Sequence, residues 1–445
     1  MSNNKVPEKA IAVGVVLPDR SRYVTEEHLA ELEQLIASAG GSVVAKIVAK
    51  RNAPDPATWI GSGKAEEIKR IAVREGASLI VFDDDLSPAQ TRNLEKITEV
   101  KVIDRSALIL DIFAGRARSR EAKTQVELAQ LEYRLPRLTR QWSHLERQAG
   151  GIGTRGVGET QLEIDRRIVR NRISQLKDEL KKIERTRETQ RKARNAVFTV
   201  ALVGYTNAGK STLFNRLTGG EAWAVDKLFA TLDAKSQRAA FPMPRQTVII
   251  DTVGFIRKLP HDLVASFRST MEEAVAADLV MHVIDASHPQ VEEQRAVGDE
   301  VLRDLGIPRE RVVEVYNKVD LFDAPLTRRF APPSPRSARR GESASGGRRP
   351  DEGRSAVTLS ALTGDGVDRL LEILRERELA GGEVVRLAIP NDRGRALALL
   401  HEVAEVHEQR TGERTTAVTA WIPRNFLHAF AEFSVADSQK RAKVS

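Results

Sequence analysis

Eight residues, Gly204-Tyr205-Thr206-Asn207-Ala208-Gly209-Lys210-Ser211, combine two glycines, a lysine and a hydroxyl in the spacing G-x-x-x-x-G-K-[ST]. The glycines let consecutive backbone N–H groups turn inward around a polyphosphate, and a helix starting there adds positive potential. Lys210 is placed to reach the β- and γ-phosphates, and the Ser211 hydroxyl to ligate Mg²⁺. Gly204 through Thr212 are therefore expected to line a nucleotide.

Four later stretches follow in the order that GTP chemistry requires. Thr231, in Leu228-Phe-Ala-Thr-Leu-Asp233, is a candidate first-switch residue that binds Mg²⁺ and senses the γ-phosphate. Asp251-Thr-Val-Gly254 closes an apolar run; Asp251 is expected in the Mg²⁺ shell, and Gly254 offers an N–H to the γ-phosphate. Asn317-Lys318-Val319-Asp320 follows another such run. An aspartate accepts from guanine N1–H and the N2 amino group together, and adenine lacks that donor pair, so the motif selects GTP or GDP. Ser360-Ala361 supplies backbone for guanine O6. Lys210, Thr231 and Gly254 are the residues expected to act on the γ-phosphate. Phe255 stands where Ras-like GTPases carry a water-orienting glutamine. An apolar side chain cannot orient water, so slow intrinsic hydrolysis is expected. Asn207 matches the asparagine that potassium-dependent GTPases use as a K⁺ ligand, and a loop-stabilising amide is its other reading.

These residues need rigid elements behind them. Phe198–Val203 reads as a buried parallel strand, and Leu213, Phe214 and Leu217 lie at helical spacing after the glycine loop. Each later motif ends a β-forming run, as ligand sites do in open α/β sheets. Residues 196–380 are thus expected to form a P-loop GTPase domain. Inside it, the Arg-, Pro- and Ser-rich stretch 326–356 is too polar to bury a core and reads as a surface insertion.

Ahead of it, strands at 11–17, 43–48, 79–82 and 100–103 alternate with helical stretches, predicting a small parallel α/β domain over 1–115. Ile60-Gly-Ser-Gly-Lys64 lacks the spacer of a phosphate loop and reads as a turn into a helix. No catalytic constellation stands out in this region. Residues 116–195 carry two helical seams, one with Leu128, Leu131, Leu135 and Leu138, the other with Val169, Ile173, Leu176 and Leu180. They predict an antiparallel helical hairpin whose tip is the glycine-rich Gly150–Gly158. That tip contains G-x-G-x-x-G, but a helix precedes it rather than a strand, which rejects a dinucleotide site. Residues 381–445 predict a small α+β module, with a helix running from Leu397 through His407. The fold class is α/β and multidomain.

The 445 residues carry a net charge of +8, no cysteine and no run near the ~20 apolar residues of a membrane span. Residues 116–195 hold 21 Lys/Arg against 11 Asp/Glu, the footprint of a polyanionic partner. The start of the chain has no signal-peptide pattern. A cytoplasmic location without a membrane span is expected.

Gly150-Gly-Ile-Gly-Thr-Arg-Gly-Val-Gly-Glu-Thr-Gln-Leu-Glu163, followed by Asp165-Arg-Arg167, together with Phe229–Asp233 and Asp251–Phe255, resembles the HflX family of ribosome-associated GTPases. The resemblance spans nearly the whole chain. Val157 departs from the proline common in the family, and the insertion 326–356 is a second departure. It implies a cytoplasmic, monomeric factor that binds the large (50S) ribosomal subunit in its GTP state. It further implies that the basic hairpin and its tip reach ribosomal RNA, and that stalled or idle ribosomes are split under stress. The alternative is a GTP-regulated RNA-binding or remodelling protein that leaves ribosomes intact; an RNA-modification GTPase would need a domain that is not visible here.

Overall fold

The computed structural model describes residues 7–138, 161–192, 197–220, 228–229, 234–258, 271–322 and 355–435. The chain folds as two compact units, one made of Met1–Arg187, Val225–Asp233 and Arg257–Ser269, the other of the remainder.

In the first unit, β1 (Glu8–Val16), β2 (Gly41–Lys50), β3 (Leu79–Phe82) and β4 (Lys101–Asp104) form a parallel sheet in the order β2-β1-β3-β4. Alternate side chains of β1 explain why both faces must be covered. Ile11, Val13 and Val15 pack with Ile80, Phe82 and residues of α2 (Ser62–Glu75) and α3 (Pro88–Thr98). On the other face Gly14 admits α1 (Arg22–Ser38): a Cβ there would lie 3.0 Å from Leu29 Cγ. The helix starts are locally encoded. Ser21 caps α1, and Ser87 with Gln90 forms a capping box on α3 after which Pro88 is tolerated.

Helix α4 (Arg105–Arg116) follows β4 directly and is capped by Asp104. Helix α5 (Arg120–Arg134) runs antiparallel to the long helix Gln161–Lys192, with pairs Arg120–Glu179, Glu127–Arg172 and Glu132–Lys177 along the seam. Leu176 is the buried side chain among the described residues of the long helix, while Ile168 is exposed. Pro136 ends α5, leaving a 3₁₀ turn at Leu135–Arg137. The tip Gly150–Gly158 lies outside the described residues.

The second unit holds a six-stranded sheet ordered β10-β9-β8-β5-β7-β6. β5 (Phe198–Gly204), β7 (Thr247–Asp251), β8 (Leu279–Asp285), β9 (Val312–Asn317) and β10 (Ser355–Thr358) are parallel, and the edge strand β6 (Lys235–Arg238) is antiparallel to β7. A separate antiparallel sheet, β11 (Gly382–Pro390), β13 (Thr415–Pro423) and β12 (Glu405–Thr411), closes over the helix Gly394–Val403. That helix ends at Val403, and His407 sits on β12. The predicted continuation to His407 was a coincidence of spacing, overridden by pairing of β12 with β13.

Of the described residues, Leu228, Phe229, Arg257 and Lys258 group with the first unit. The insertion 326–356 lies outside the described residues apart from its end, where Ser355 and Ala356 begin β10. Among the described residues no helix is long and apolar enough to cross a membrane.

Candidate active site

β5 delivers Gly204 to the start of the phosphate loop, and the helix Lys210–Thr218 begins at its end. Gly204 (φ 144°) and Gly209 (φ 89°) adopt backbone that L side chains rarely enter, and a Cβ at either would overlap Val283 O or Asn317 Nδ2. Asn207 also has a positive φ, 62°, and is exposed. Asparagine tolerates this left-handed conformation, so backbone geometry by itself accounts for the residue type.

Lys210 is buried, with Nζ donating to Gly204 O at 3.0 Å and Tyr205 O at 2.8 Å. Burial lowers its pKa to about 8, against the opposing pull of Asp251. The Ser211 hydroxyl donates to Asp251 Oδ2 at 2.8 Å, so the two oxygen ligands expected for Mg²⁺ converge at the ends of β5 and β7. Thr212 follows on the helix. The hydroxyl of buried Thr206 has no hydrogen-bond partner among the described residues.

Beyond β7, the Thr252 hydroxyl donates to Leu202 O at 2.6 Å and holds the Asp-x-x-Gly turn against β5. Gly254 lies against the phosphate loop: a Cβ there would stand 2.8 Å from Thr206 Cα and 2.9 Å from Lys210 Nζ. Phe255 N–H donates to Gly204 O at 2.9 Å, and Thr206 N–H donates to Phe255 O at 2.7 Å. The Phe255 side chain is buried, and its backbone ties the Asp-x-x-Gly turn to the phosphate loop. Thr231 lies outside the described residues.

Asn317, at the end of β9, organises the other side of the candidate site. Its Nδ2 donates to Ala208 O at 2.9 Å and its Oδ1 accepts from Ala361 N–H at 2.8 Å. In this arrangement Asn317 ties the phosphate loop to the Ser360-Ala361 turn. Lys318 takes a left-handed φ of 65° and pairs with Asp285 at 2.7 Å, while Asp320 is exposed. Buried Ser360 accepts from Thr363 N–H at 3.1 Å. Arg216, not singled out in the sequence, donates to Ala361 O at 2.9 Å and also to Leu362 O, bracing that turn from the phosphate-loop helix. Its only signal in the sequence is a polar residue on that helix, which does not reveal a partner 145 residues away.

A pH dependence follows. Above pH 8 the free site loses the Lys210 proton, and a bound polyphosphate draws it back, so binding takes up a proton. Nucleotide Kd should therefore be flat below pH 7 and rise toward about tenfold per unit between pH 8 and 9. Titration calorimetry in buffers of different ionisation enthalpy measures this uptake, and a binding reaction at pH 8.5 that takes up no proton contradicts it.

Three family descriptions match successive parts of the chain. "GTP-binding GTPase N-terminal" matches residues 26–114, "GTP-binding GTPase Middle Region" 116–194, and "50S ribosome-binding GTPase" 199–318. The chain is similar to GTPase HflX of Caldanaerobacter subterraneus subsp. tengcongensis, with 43% identity covering 94% of each chain. It is also 46% identical to GTPase HflX of Escherichia coli, covering 86% of each. A solved structure described as an SsGBP and GDP complex aligns at 26% identity with a TM-score of 0.45, over 84% of this chain and 97% of that one.

Proposed function

The chain belongs to the HflX GTPase family, and we propose that it is a cytoplasmic factor that binds the large ribosomal subunit in its GTP state and splits stalled or idle ribosomes. Its enzymatic activity is GTP hydrolysis. The observation that carries the reading is the close packing of Gly254 on the phosphate loop, where a Cβ would lie 2.8 Å from Thr206 Cα and 2.9 Å from Lys210 Nζ. A γ-phosphate that accepts from the Gly254 N–H and from Lys210 sits at this junction, so GTP and GDP differ in what they ask of the backbone that Phe255 holds to Gly204.

Each residue has a role in that cycle. The loop Gly204–Ser211 and Thr212 hold the phosphates, with Lys210 as the fixed charge; Asp320 accepts from the guanine edge and Ser360-Ala361 faces O6, both positioned through Asn317 and Lys318. The donor set Ser211, Asp251 and Thr231 is chemically suited to Mg²⁺, which when bound neutralises charge on the β- and γ-phosphates. No potassium role is proposed, since the left-handed backbone at Asn207 explains the residue. With buried Phe255 unable to orient water, intrinsic hydrolysis is slow and a partner accelerates it. The helices of 116–195 and the tip Gly150–Gly158 make the ribosomal RNA contact, for which their excess of positive charge is suited.

Co-sedimentation with ribosomes tests this. A non-hydrolysable GTP analogue should carry the protein into the large-subunit fraction and deplete intact ribosomes, and GDP should not. Equal binding to free RNA with either nucleotide, leaving ribosomes intact, would instead establish the RNA-binding alternative.

A further inference from the structure

Helix α4 gathers, within the first unit, contacts to both switch segments and to the root of the helical hairpin. At its start, Asp104 caps the helix and is almost completely buried. It also accepts from the Tyr133 hydroxyl at 2.8 Å and from Arg137 Nη2 at 3.0 Å, near the end of the described part of the first arm. Burial, with Asp104 beside it, pushes the Tyr133 phenol pKa up, so it stays a donor.

The next residue, Arg105, is buried and pairs with Asp83 at 2.7 Å and Glu31 at 3.1 Å. These acids, with Asp84, also hold the chain just after Gly254. Arg257 Nε donates to Glu31 at 3.0 Å, and Lys258 Nζ meets Asp83 at 2.8 Å and Asp84 at 2.6 Å. Burial alone would raise the Asp84 carboxyl, but Lys258 and Arg20 bring its pKa below the usual carboxylate value. The cradle lies at the carboxyl ends of β3 and β4, where an open parallel sheet ordinarily takes a ligand. Here the occupant is the chain's own basic pair.

At the other end of α4, the Phe113 ring meets Phe229 edge-on at 4.6 Å, and Arg116 Nη1 donates to Phe229 O at 2.9 Å. Phe229 precedes Thr231 by two residues and holds a φ of 56°. Between the ends, Leu108, Ile109, Leu110 and Ile112 are buried, so the helix is packed along its length and shifts as a body.

We propose that α4 is the lever by which nucleotide state reaches the hairpin. The proposal rests on the GTPase reading above. A shift of Gly254 as its N–H turns to the γ-phosphate displaces Arg257 three residues on. Glu31, which pairs with both Arg257 and Arg105, follows it and carries Arg105 with it. A shift of Phe229, two residues before Thr231, pulls on the far end through Phe113 and Arg116. Asp104 then passes the shift to Tyr133 and Arg137.

The double variant R116A/R257A removes the Phe229 contact at one switch and the Glu31 contact at the other, and leaves the core of α4 intact. In the wild-type chain, hydrogen exchange of peptides spanning 120–138 should differ between GDP and a non-hydrolysable GTP analogue. In the variant most of that difference should vanish, and the analogue-over-GDP ratio of large-subunit binding should fall about tenfold. Analogue affinity should stay within about twofold of wild type, and R116K, which keeps a donor to Phe229 O, should retain most of the coupling. A variant that keeps the wild-type exchange difference overturns the proposal, as does a wild-type root that exchanges alike in both states. A parallel collapse of nucleotide affinity also overturns it, because the contacts would then serve the pocket. If wild type never pellets with the large subunit, the ribosome reading fails and the exchange experiment still decides the role of α4.

Discussion

Lys210→Ala abolishes tight binding of GTP and GDP. The ammonium is fixed by two carbonyls of the loop that cradles the phosphates, at 3.0 and 2.8 Å, and no other cation of Gly204–Ser211 is available to replace it. Hydrogen bonds from a charged donor are worth about 1.5–3 kcal/mol each, and a lysine bridging two phosphates makes at least two. The expected loss is thus about 3–5 kcal/mol, or roughly a hundred- to several-thousand-fold in Kd. Folding should survive, because the variant also removes a buried charge whose pKa is depressed to about 8, a sign that its ionised form is poorly solvated there. Fluorescent-nucleotide titration with a thermal melt as control measures this; wild-type affinity in the alanine variant would overturn the assignment of the loop.

Asp320→Asn exchanges base preference. Asp320 is exposed at the end of the turn that Lys318 opens with its left-handed backbone, and Lys318 is held by Asp285 at 2.7 Å. The carboxylate thereby presents two acceptors to two guanine donors. An amide presents one acceptor and one donor, so guanine meets a donor against a donor. Loss of one charged hydrogen bond and creation of one mismatch predicts about a hundredfold or greater weakening for GTP. Xanthosine triphosphate, with a carbonyl where guanine has its amino group, should bind the variant more tightly than GTP does. Competition between the two nucleotides decides it, and persistent guanine preference would show that another residue reads the base.

Much of the site was legible because its chemistry is local. The glycine spacing before Lys210, the apolar runs ending at Asp251 and Asn317, and the cap signals on α1 and α3 act within a few residues, and the structure places strands and helices there with small shifts of their ends. The helix drawn to His407 failed for the converse reason: pairing of the strand around it with β13, Glu405 with Trp421 and Val406 with Ala420, outweighed a helical period. Asn317 shows a middle case. Its place in the motif was readable, but its bonds to Ala208 and Ala361 span 109 and 44 residues and turn a nominal base contact into a brace for two loops.

By itself, then, the order of residues determined the nucleotide chemistry, the alternation of strands and helices, and the basic character of the hairpin, since each follows from side-chain type at short range. Only the tertiary structure decided where the acids of the first unit point. Glu31, Asp83 and Asp84 look like ordinary surface carboxylates in sequence, and no spacing links them to Arg105, Arg257 or Lys258. Folding brings them to one end of a parallel sheet, where charges withdrawn from water must find partners. That requirement, which operates across 226 residues between Glu31 and Arg257, fastens the segment beyond Gly254 to the helix that carries the arm.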